Sequence, residues 1–230
     1  MNETTIIIPV YNEEDIIVPN TEALIKYLNT LNLEYEILLS SNGSTDKTDE
    51  VGQQLAEQHK EVKLLSTKEK GVGVAFKNAI SEAKYEKIVS LDMDLTVDLS
   101  FVKRAIELLD TYDIIIGSKI FGVQKRSFVR KLGSRVYVII ASALLSLKFN
   151  DYAPSGKAYR KSVVQKYLNY TDSGTSYVVE TVYKAFKDNH RIIQIPIDCE
   201  DRRKSKFNLL HEGLYRYYHL FKLVFDSLSK

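Results

Sequence analysis

Short apolar runs alternate with longer helix-like segments through the first half of the chain, and this rhythm constrains the fold most. Strands are predicted at residues 4–10, 35–40, 62–66, 87–91 and 113–117, and helices at residues 13–30, 47–59, 72–83 and 99–109. Strands that alternate with helices form a parallel sheet covered on both faces. We therefore predict an α/β fold with a Rossmann-like, mostly parallel central sheet, in which ligands bind beyond the carboxyl ends of the strands.

The rhythm changes after residue 117. A basic loop and a long helix (residues 121–148) precede the irregular segment NDYAPSGKAYRK, a helix near residues 177–188 and a strand at residues 191–197. The final segment repeats Leu, Tyr and Phe at three- and four-residue steps, which predicts an amphipathic helix. Such a helix either packs on the domain or rests on a membrane surface.

Charge and composition exclude some partners. The chain has 32 basic and 30 acidic residues, a net charge of +2, so no general polyanion-binding surface is implied and no nucleic acid partner is expected. Its one cysteine cannot form an internal disulfide, which agrees with a reducing, cytoplasmic location. The longest uncharged run, residues 136–147, is shorter than the roughly 20 residues needed to cross a bilayer, so we expect no transmembrane helix.

The motif Asp92-Met93-Asp94 directly follows the fourth predicted strand. Residues i and i+2 of an extended chain point the same way, so both carboxylates can converge on one cation while Met93 turns into the core. Mg²⁺ or Mn²⁺ bound through one or two carboxylates, with phosphate oxygens in other positions, suits such a pair. The alternative is a solvated acidic loop. A third carboxylate, Asp98, is expected to cap the next helix.

Three further segments follow predicted strands. IPVYNEE ends the first strand in a polar turn, and SSNGSTDKT ends the second with Asp46 placed to cap the next helix. KEKGVGVAFKNAI places Gly71 and Gly73 where the backbone can approach a ligand, with Lys68 and Lys70 available for phosphate. Each segment alone is also typical of an ordinary turn.

In this order the motifs resemble family 2 nucleotide-sugar glycosyltransferases of the GT-A fold, and within them the polyprenyl-phosphate (dolichyl-phosphate) sugar synthases. The resemblance runs from about residue 4 to residue 206 and also includes IIIGSK, DYAPSGKAYRKSVV and IPIDCEDRRKSK. It implies one glycosyltransferase domain: a nucleotide-sugar-binding half (1–118), an acceptor half (119–206) and a C-terminal amphipathic helix (207–230).

The resemblance also assigns the donor site. It makes Asp92 and Asp94 the catalytic diphosphate and Mg²⁺ or Mn²⁺ site, with Asp46 supporting the adjacent loop. The nucleotide-sugar pocket comprises these two carboxylates together with Pro9, Tyr11, Asn12, Glu13, Ser41, Asn42, Gly71 and Met93. Two positions depart from the family pattern. Ser41-Asn42 replaces the usual Asp-Asp, whose first member contacts the nucleoside, and Lys119 replaces an Arg, which loses the bidentate fork.

The implied acceptor is a polyprenyl or dolichyl phosphate in a membrane, whose phosphate is already an anion and needs no general base. The expected phosphate-binding residues are Lys119, Arg130, Arg135, Ser155 and Lys206, and Arg202 is expected to act in catalysis by closing over phosphate. Each basic cluster can instead be a solvated face. Glu180 either contacts the sugar or lies on a helix surface. A peripheral location on the cytoplasmic face follows, and a separate membrane-anchoring subunit is a possible partner.

Three other functions remain open from the sequence. They are a family 2 glycosyltransferase with a saccharide acceptor, a non-catalytic nucleotide-sugar-binding homologue, and a sugar-nucleotide pyrophosphorylase. A pyrophosphorylase usually opens with a Gly-rich basic loop after its first strand, whereas this chain has PVYNEE there.

Overall fold

The computed structural model describes residues 3–125, 128–200 and 209–228. Within these ranges the strands are β1 Glu3–Val10, β2 Glu34–Asn42, β3 Val62–Thr67, β4 Lys87–Ser90, β5 Ile114–Ser118, β6 Gln124–Lys125, β7 Lys157–Arg160, β8 Ile192–Pro196 and β9 Cys199–Glu200. The helices are α1 Ile17–Leu28, α2 Thr48–Gln58, α3 Val72–Glu82, α4 Ser100–Leu108, α5 Phe128–Leu145, α6 Lys161–Val164, α7 Tyr177–Lys187 and α8 Leu209–Leu228. Short 3₁₀ turns cover Asn29–Leu31 and Gln165–Tyr170.

In the described part of the chain, seven strands form one sheet in the order β3-β2-β1-β4-β7-β5-β8. Pairings β1 with β2, β1 with β4, β2 with β3, and β5 with β8 are parallel. β7 lies between β4 and β5 and is antiparallel to both. β6 and β9 form a separate parallel pair. The prediction of a mostly parallel sheet is confirmed.

The sheet is buried on both faces, which explains why its strands are continuous apolar runs. Along β1, Ile6 and Ile8 join the core beneath α1, α2 and α4, whereas Ile7 joins the core beneath α3, α5, α7 and α8. On that second face, Phe76 stacks on Tyr177, with ring centroids 4.3 Å apart. Helices therefore pack against both faces of the sheet.

The long helix predicted after the basic loop, within residues 121–148, spans Phe128–Leu145. Two other details of the prediction are wrong. The first helix begins at Ile17 rather than residue 13, and the amides of Ile16 and Ile17 both bond to the Glu13 carbonyl. The segment NDYAPSGKAYRK is not irregular throughout, since its second half forms β7.

No described helix combines the length and apolar content that crossing a membrane requires.

Candidate functional site

Asp92-Met93-Asp94 follows β4 in a tight turn at the carboxyl edge of the sheet. The Leu95 amide donates to the Asp92 carbonyl (3.1 Å), and Leu95 adopts a positive φ of 46°. Met93 is 2% exposed, as predicted, and its carbonyl accepts the Asn20 side-chain amide at 2.8 Å. The motif is thus a turn rather than the extended segment predicted, and it buries Met93 between two partly buried carboxylates.

The surroundings of Asp92 favour a nearby cation. Burial raises the pKa of Asp92 to about 6; Lys119 opposes this increase, and the negative charge of Asp94 adds to it. The Asp92 amide donates to the Ser155 hydroxyl at 3.1 Å. Two carboxylates that repel each other at a buried edge are stabilised by any cation they share.

This donor set fits Mg²⁺ or Mn²⁺. Across the described residues, no cluster of three or more His, Cys, Asp or Glu side chains could by itself enclose a metal ion. A hard cation bound through one or two carboxylates, with phosphate oxygens completing its shell, needs no such cluster. Asp92 and Asp94 are the residues that would hold it.

The turns after β1 and β2 form one connected structure next to this motif. Asn12 has a positive φ of 55°. Its side-chain oxygen accepts the Thr45 backbone amide at 2.8 Å, and its backbone amide donates to the Ser44 hydroxyl at 3.2 Å. The Glu13 amide donates to the Thr48 hydroxyl at 2.6 Å. Because β1 lies between β2 and β4, the predicted pocket residues of both turns share one edge with Asp92.

Both predicted carboxylate caps are confirmed. Asp46 accepts the amide and the hydroxyl of Thr48, at 3.0 and 2.6 Å, at the start of α2. Asp98 accepts the Ser100 amide at 2.6 Å at the start of α4. Asp98 therefore belongs to the helix and not to the Asp92-Asp94 pair.

Asn42, one of the two departures from the family pattern, bridges two loops. Its amide donates to the Val10 carbonyl at 2.9 Å, and its side-chain oxygen accepts the Gly71 amide at 3.3 Å. Neighbouring Ser41 lies 2.9 Å from Ser44, hydroxyl to hydroxyl. An Asp at position 42 could not donate to the Val10 carbonyl, so the amide suits this local structure.

Gly71 and Gly73, predicted to let the backbone approach a ligand, also lie against another segment of this chain. A Cβ on Gly71 would collide with the Ser173 backbone, and one on Gly73 would lie 2.7 Å from the Ser173 carbonyl carbon and 2.8 Å from the Gly174 oxygen. Close packing against residues 172–174 is thus a reason for both glycines that is independent of any ligand. Lys70, expected to meet phosphate, donates to the Tyr11 hydroxyl at 3.0 Å.

The predicted acceptor residues Lys119 and Ser155 lie beside Asp92. Lys119 is 8% exposed, and its amide donates to Asp151 at 3.2 Å. Ser155 is 1% exposed. Behind them the Lys157 ammonium pairs with Asp151 at 3.1 Å. Burial alone would raise the pKa of Asp151, but Lys157 and Lys119 more than offset it and hold that pKa below its usual range.

The other predicted acceptor residues lie on α5 or outside the described residues. Arg130 and Arg135 lie on α5, where Arg135 is exposed. Arg202 and Lys206 lie outside the described residues. Glu180 is not a surface residue: it is 7% exposed, accepts the Asp172 amide, and lies 3.7 Å from a His219 ring nitrogen.

Sequence reasoning missed Asn20, Asp151 and Lys157. Asn20 lies within a predicted helix far along the chain from Met93, and no local signal marks it. Asp151 and Lys157 both lie in the segment DYAPSGK that carries the family resemblance, so the motif contained them without indicating that they pair.

Comparisons with known proteins identify the family of this chain. A model of Glycosyl transferase family 2 matches residues 5–168. The chain is 26% identical over 211 residues to an undecaprenyl-phosphate 4-deoxy-4-formamido-L-arabinose transferase of Edwardsiella ictaluri, covering 90% of this chain and 63% of that protein. The enzyme of the same name from Proteus mirabilis is 23% identical over 236 residues, covering 100% and 68%. This chain thus spans only about two thirds of their length.

Solved structures share the fold. Glucosyl-3-phosphoglycerate synthase of Mycobacterium tuberculosis, in complex with Mn²⁺, UDP-glucose and phosphoglyceric acid, superposes with a TM-score of 0.72 at 15% identity, covering 97% of this chain and 80% of that one. TarS of S. aureus gives a TM-score of 0.61 at 17% identity, covering 96% and 64%. The predicted GT-A fold is confirmed. With most of its length matched by the family model, the chain belongs to glycosyl transferase family 2.

Proposed function

We propose that this protein transfers a sugar from a UDP- or GDP-sugar to a polyprenyl phosphate, with inversion at the anomeric carbon. The observation that carries the proposal is the Asp92-Met93-Asp94 turn, which presents two carboxylates at the sheet edge while Lys119 and Ser155 lie directly beside Asp92. Family membership and relatives named as undecaprenyl-phosphate sugar transferases support it.

On the donor side, Asp92 and Asp94 would hold Mg²⁺ or Mn²⁺, which stabilises negative charge developing on the leaving diphosphate. The nucleoside would occupy the edge formed by the turns after β1 and β2, where Tyr11, Asn12 and Asn42 are fixed by hydrogen bonds. These bonds orient the pocket before the donor arrives, which lowers the entropic cost of binding.

On the acceptor side, the lipid phosphate attacks the anomeric carbon as an anion, so its chief requirement is charge neutralisation. Lys119 supplies a cation beside Asp92, and α5 contributes Arg130 and Arg135 from a helix that contains no Asp or Glu. Arg202 is proposed to close over phosphate during catalysis, together with Lys206. Phosphate held by several cations is positioned as well as neutralised.

A polyprenyl chain stays in the bilayer, so the site must approach the membrane. α8 exposes an apolar stripe at three- and four-residue steps: Leu214, Tyr218, Phe221, Phe225 and Leu228. α5 exposes Phe128, Val129, Leu132, Val136 and Ile139. The two helices pack together through Tyr137 and Tyr217, whose ring centroids are 5.6 Å apart. These exposed stripes, the apolar face, are proposed to rest on the cytoplasmic leaflet.

Purified protein with Mg²⁺ or Mn²⁺, a panel of UDP- and GDP-sugars and a short polyprenyl phosphate tests the reaction. A lipid-linked sugar is expected for one donor, and Asp92→Ala or Asp94→Ala should abolish turnover without unfolding the protein. If folded wild-type protein makes no lipid-linked product with any donor, the proposal fails. Transfer to a saccharide, or nucleotide binding without transfer, would establish one of the alternatives.

Liposome flotation tests the membrane contact. Wild-type protein should float with anionic vesicles, because α5 is basic and the apolar face is exposed. Phe221→Glu/Phe225→Glu should abolish flotation, whereas Tyr170→Glu, at an exposed tyrosine outside the apolar face, should not. Flotation of the protein alone would make a membrane-anchoring subunit unnecessary, and equal flotation of all three proteins would refute the assigned face.

A further inference from the structure

Lys157 is a buried cation that the proposed reaction does not use directly. It is the first residue of β7, where it is paired with Ser90 of β4 on one side and Ile116 of β5 on the other. It is 0% exposed, and its ammonium donates to Asp151 (3.1 Å) and to the carbonyls of Gly117 (3.2 Å) and Ser155 (3.1 Å). Three acceptors match the three donors of an ammonium group.

Each of these acceptors leads to a residue of the candidate site. The Ser155 hydroxyl accepts the Asp92 amide at 3.1 Å. The second carboxylate oxygen of Asp151 accepts the Lys119 amide at 3.2 Å. Gly117 lies two residues before Lys119 in the chain, and its backbone amide donates to the Gly156 carbonyl at 2.8 Å. The ammonium therefore lies at the centre of a network whose outer members fix the backbone at Asp92 and at Lys119.

Stability alone is a weak reason for this arrangement. Removing a lysine and an aspartate from water is unfavourable, and well-packed apolar residues often replace a buried ion pair without loss of stability. An apolar side chain would, however, hold neither the Ser155 carbonyl nor the Asp151 carboxylate in a fixed direction. Hydrogen-bonded groups behind a metal ligand commonly serve to orient it.

We propose that Lys157 is a positioning residue: through Ser155 it holds Asp92 in the geometry that binds the cation and the donor diphosphate, and through Asp151 it holds Lys119 beside Asp92 on the acceptor side. This role rests on the proposed function and deepens it. Lys157 acts through these neighbours and is not itself a ligand or an acid.

Binding of Mn²⁺ in the presence of UDP or GDP, followed by the electron paramagnetic resonance signal of free Mn²⁺, tests this role without requiring turnover. Lys157→Met should weaken Mn²⁺ affinity about 10- to 100-fold, the range typical for loss of a group behind a metal ligand. Lys157→Arg, which keeps the charge, should restore most of the affinity. Lys161→Met is the matched control, because Lys161 also donates to a carbonyl, that of Ala83. The Mn²⁺ affinity of this variant should equal that of wild type.

Two milder variants keep the test decisive if Lys157→Met fails to fold. Asp151→Asn/Lys157→Met removes both buried charges, and Ser155→Ala removes one hydroxyl; both should fold and still bind Mn²⁺ more weakly. Wild-type affinity in the folded variants, with only a lower melting temperature, would overturn the proposal. Weakened binding in a protein whose wild type transfers no sugar to polyprenyl phosphate would refute the proposed function and leave the role of Lys157 intact.

Discussion

Replacing Gly73 by alanine should destabilise the protein, because this glycine lies against the backbone of residues 172–174. The added Cβ would lie 2.7 Å from the Ser173 carbonyl carbon and 2.8 Å from the Gly174 oxygen, and closer still to the Asp172 oxygen. That segment cannot move aside freely. The Val74 amide donates to the Ser173 carbonyl at 3.1 Å, and Tyr215 donates to the Asp172 carboxylate at 2.5 Å.

The magnitude follows from two opposing terms. Overpacking against a well-fixed neighbour costs about 3 kcal/mol at the upper end of its usual range. Alanine recovers about 1 kcal/mol of helix propensity relative to glycine. The net loss is about 2 kcal/mol, and for a chain of 230 residues this lowers the melting temperature by about 4–8 °C.

Thermal unfolding of Gly73→Ala beside Gly133→Ala measures this effect. Gly133 lies within α5, and an added Cβ would meet no atom within 4 Å. Gly133→Ala should therefore raise the melting temperature by about 2–4 °C through helix propensity alone. A Gly73→Ala melting temperature at or above that of wild type would show that residues 172–174 do not press on α3, and would leave the predicted ligand contact as the reason for this glycine.

Two further changes test the polar groups around the site. Asn42→Asp should destabilise the protein by about 1–3 kcal/mol at pH 8, because a carboxylate cannot donate to the Val10 carbonyl. Thermal unfolding should show a smaller loss of stability at a pH low enough to protonate the new carboxyl group. Burial raises the pKa of Glu180 from 4.5 to about 7, so the folded protein binds the extra proton and loses stability as pH rises between these values. Glu180→Gln should therefore raise the melting temperature more at pH 8 than at pH 5, and an equal change at both would contradict the burial argument.

Local sequence signals predicted the framework and the centre of the site. The apolar runs of β1, β2 and β4 are continuous because both faces of these strands are buried, and such runs are legible without knowing their partners. The Asp92-Met93-Asp94 motif is also visible in the sequence alone, because an apolar residue between two carboxylates is a pattern of adjacent residues. The caps Asp46 and Asp98 bond to amides two residues away, within the reach of local reasoning.

The features that only the tertiary structure decided depend on contacts between residues distant in the chain. β7 is four residues long, and its antiparallel insertion between β4 and β5 leaves no periodic signal. Gly73 meets residues almost one hundred positions later, and Glu180 contacts Asp172 and, on α8, His219. A lysine is usually solvated, so nothing in the sequence alone indicates that Lys157 is buried. Only the assembled sheet edge, where Asp151 and two carbonyls converge on its ammonium, makes burial of that charge possible.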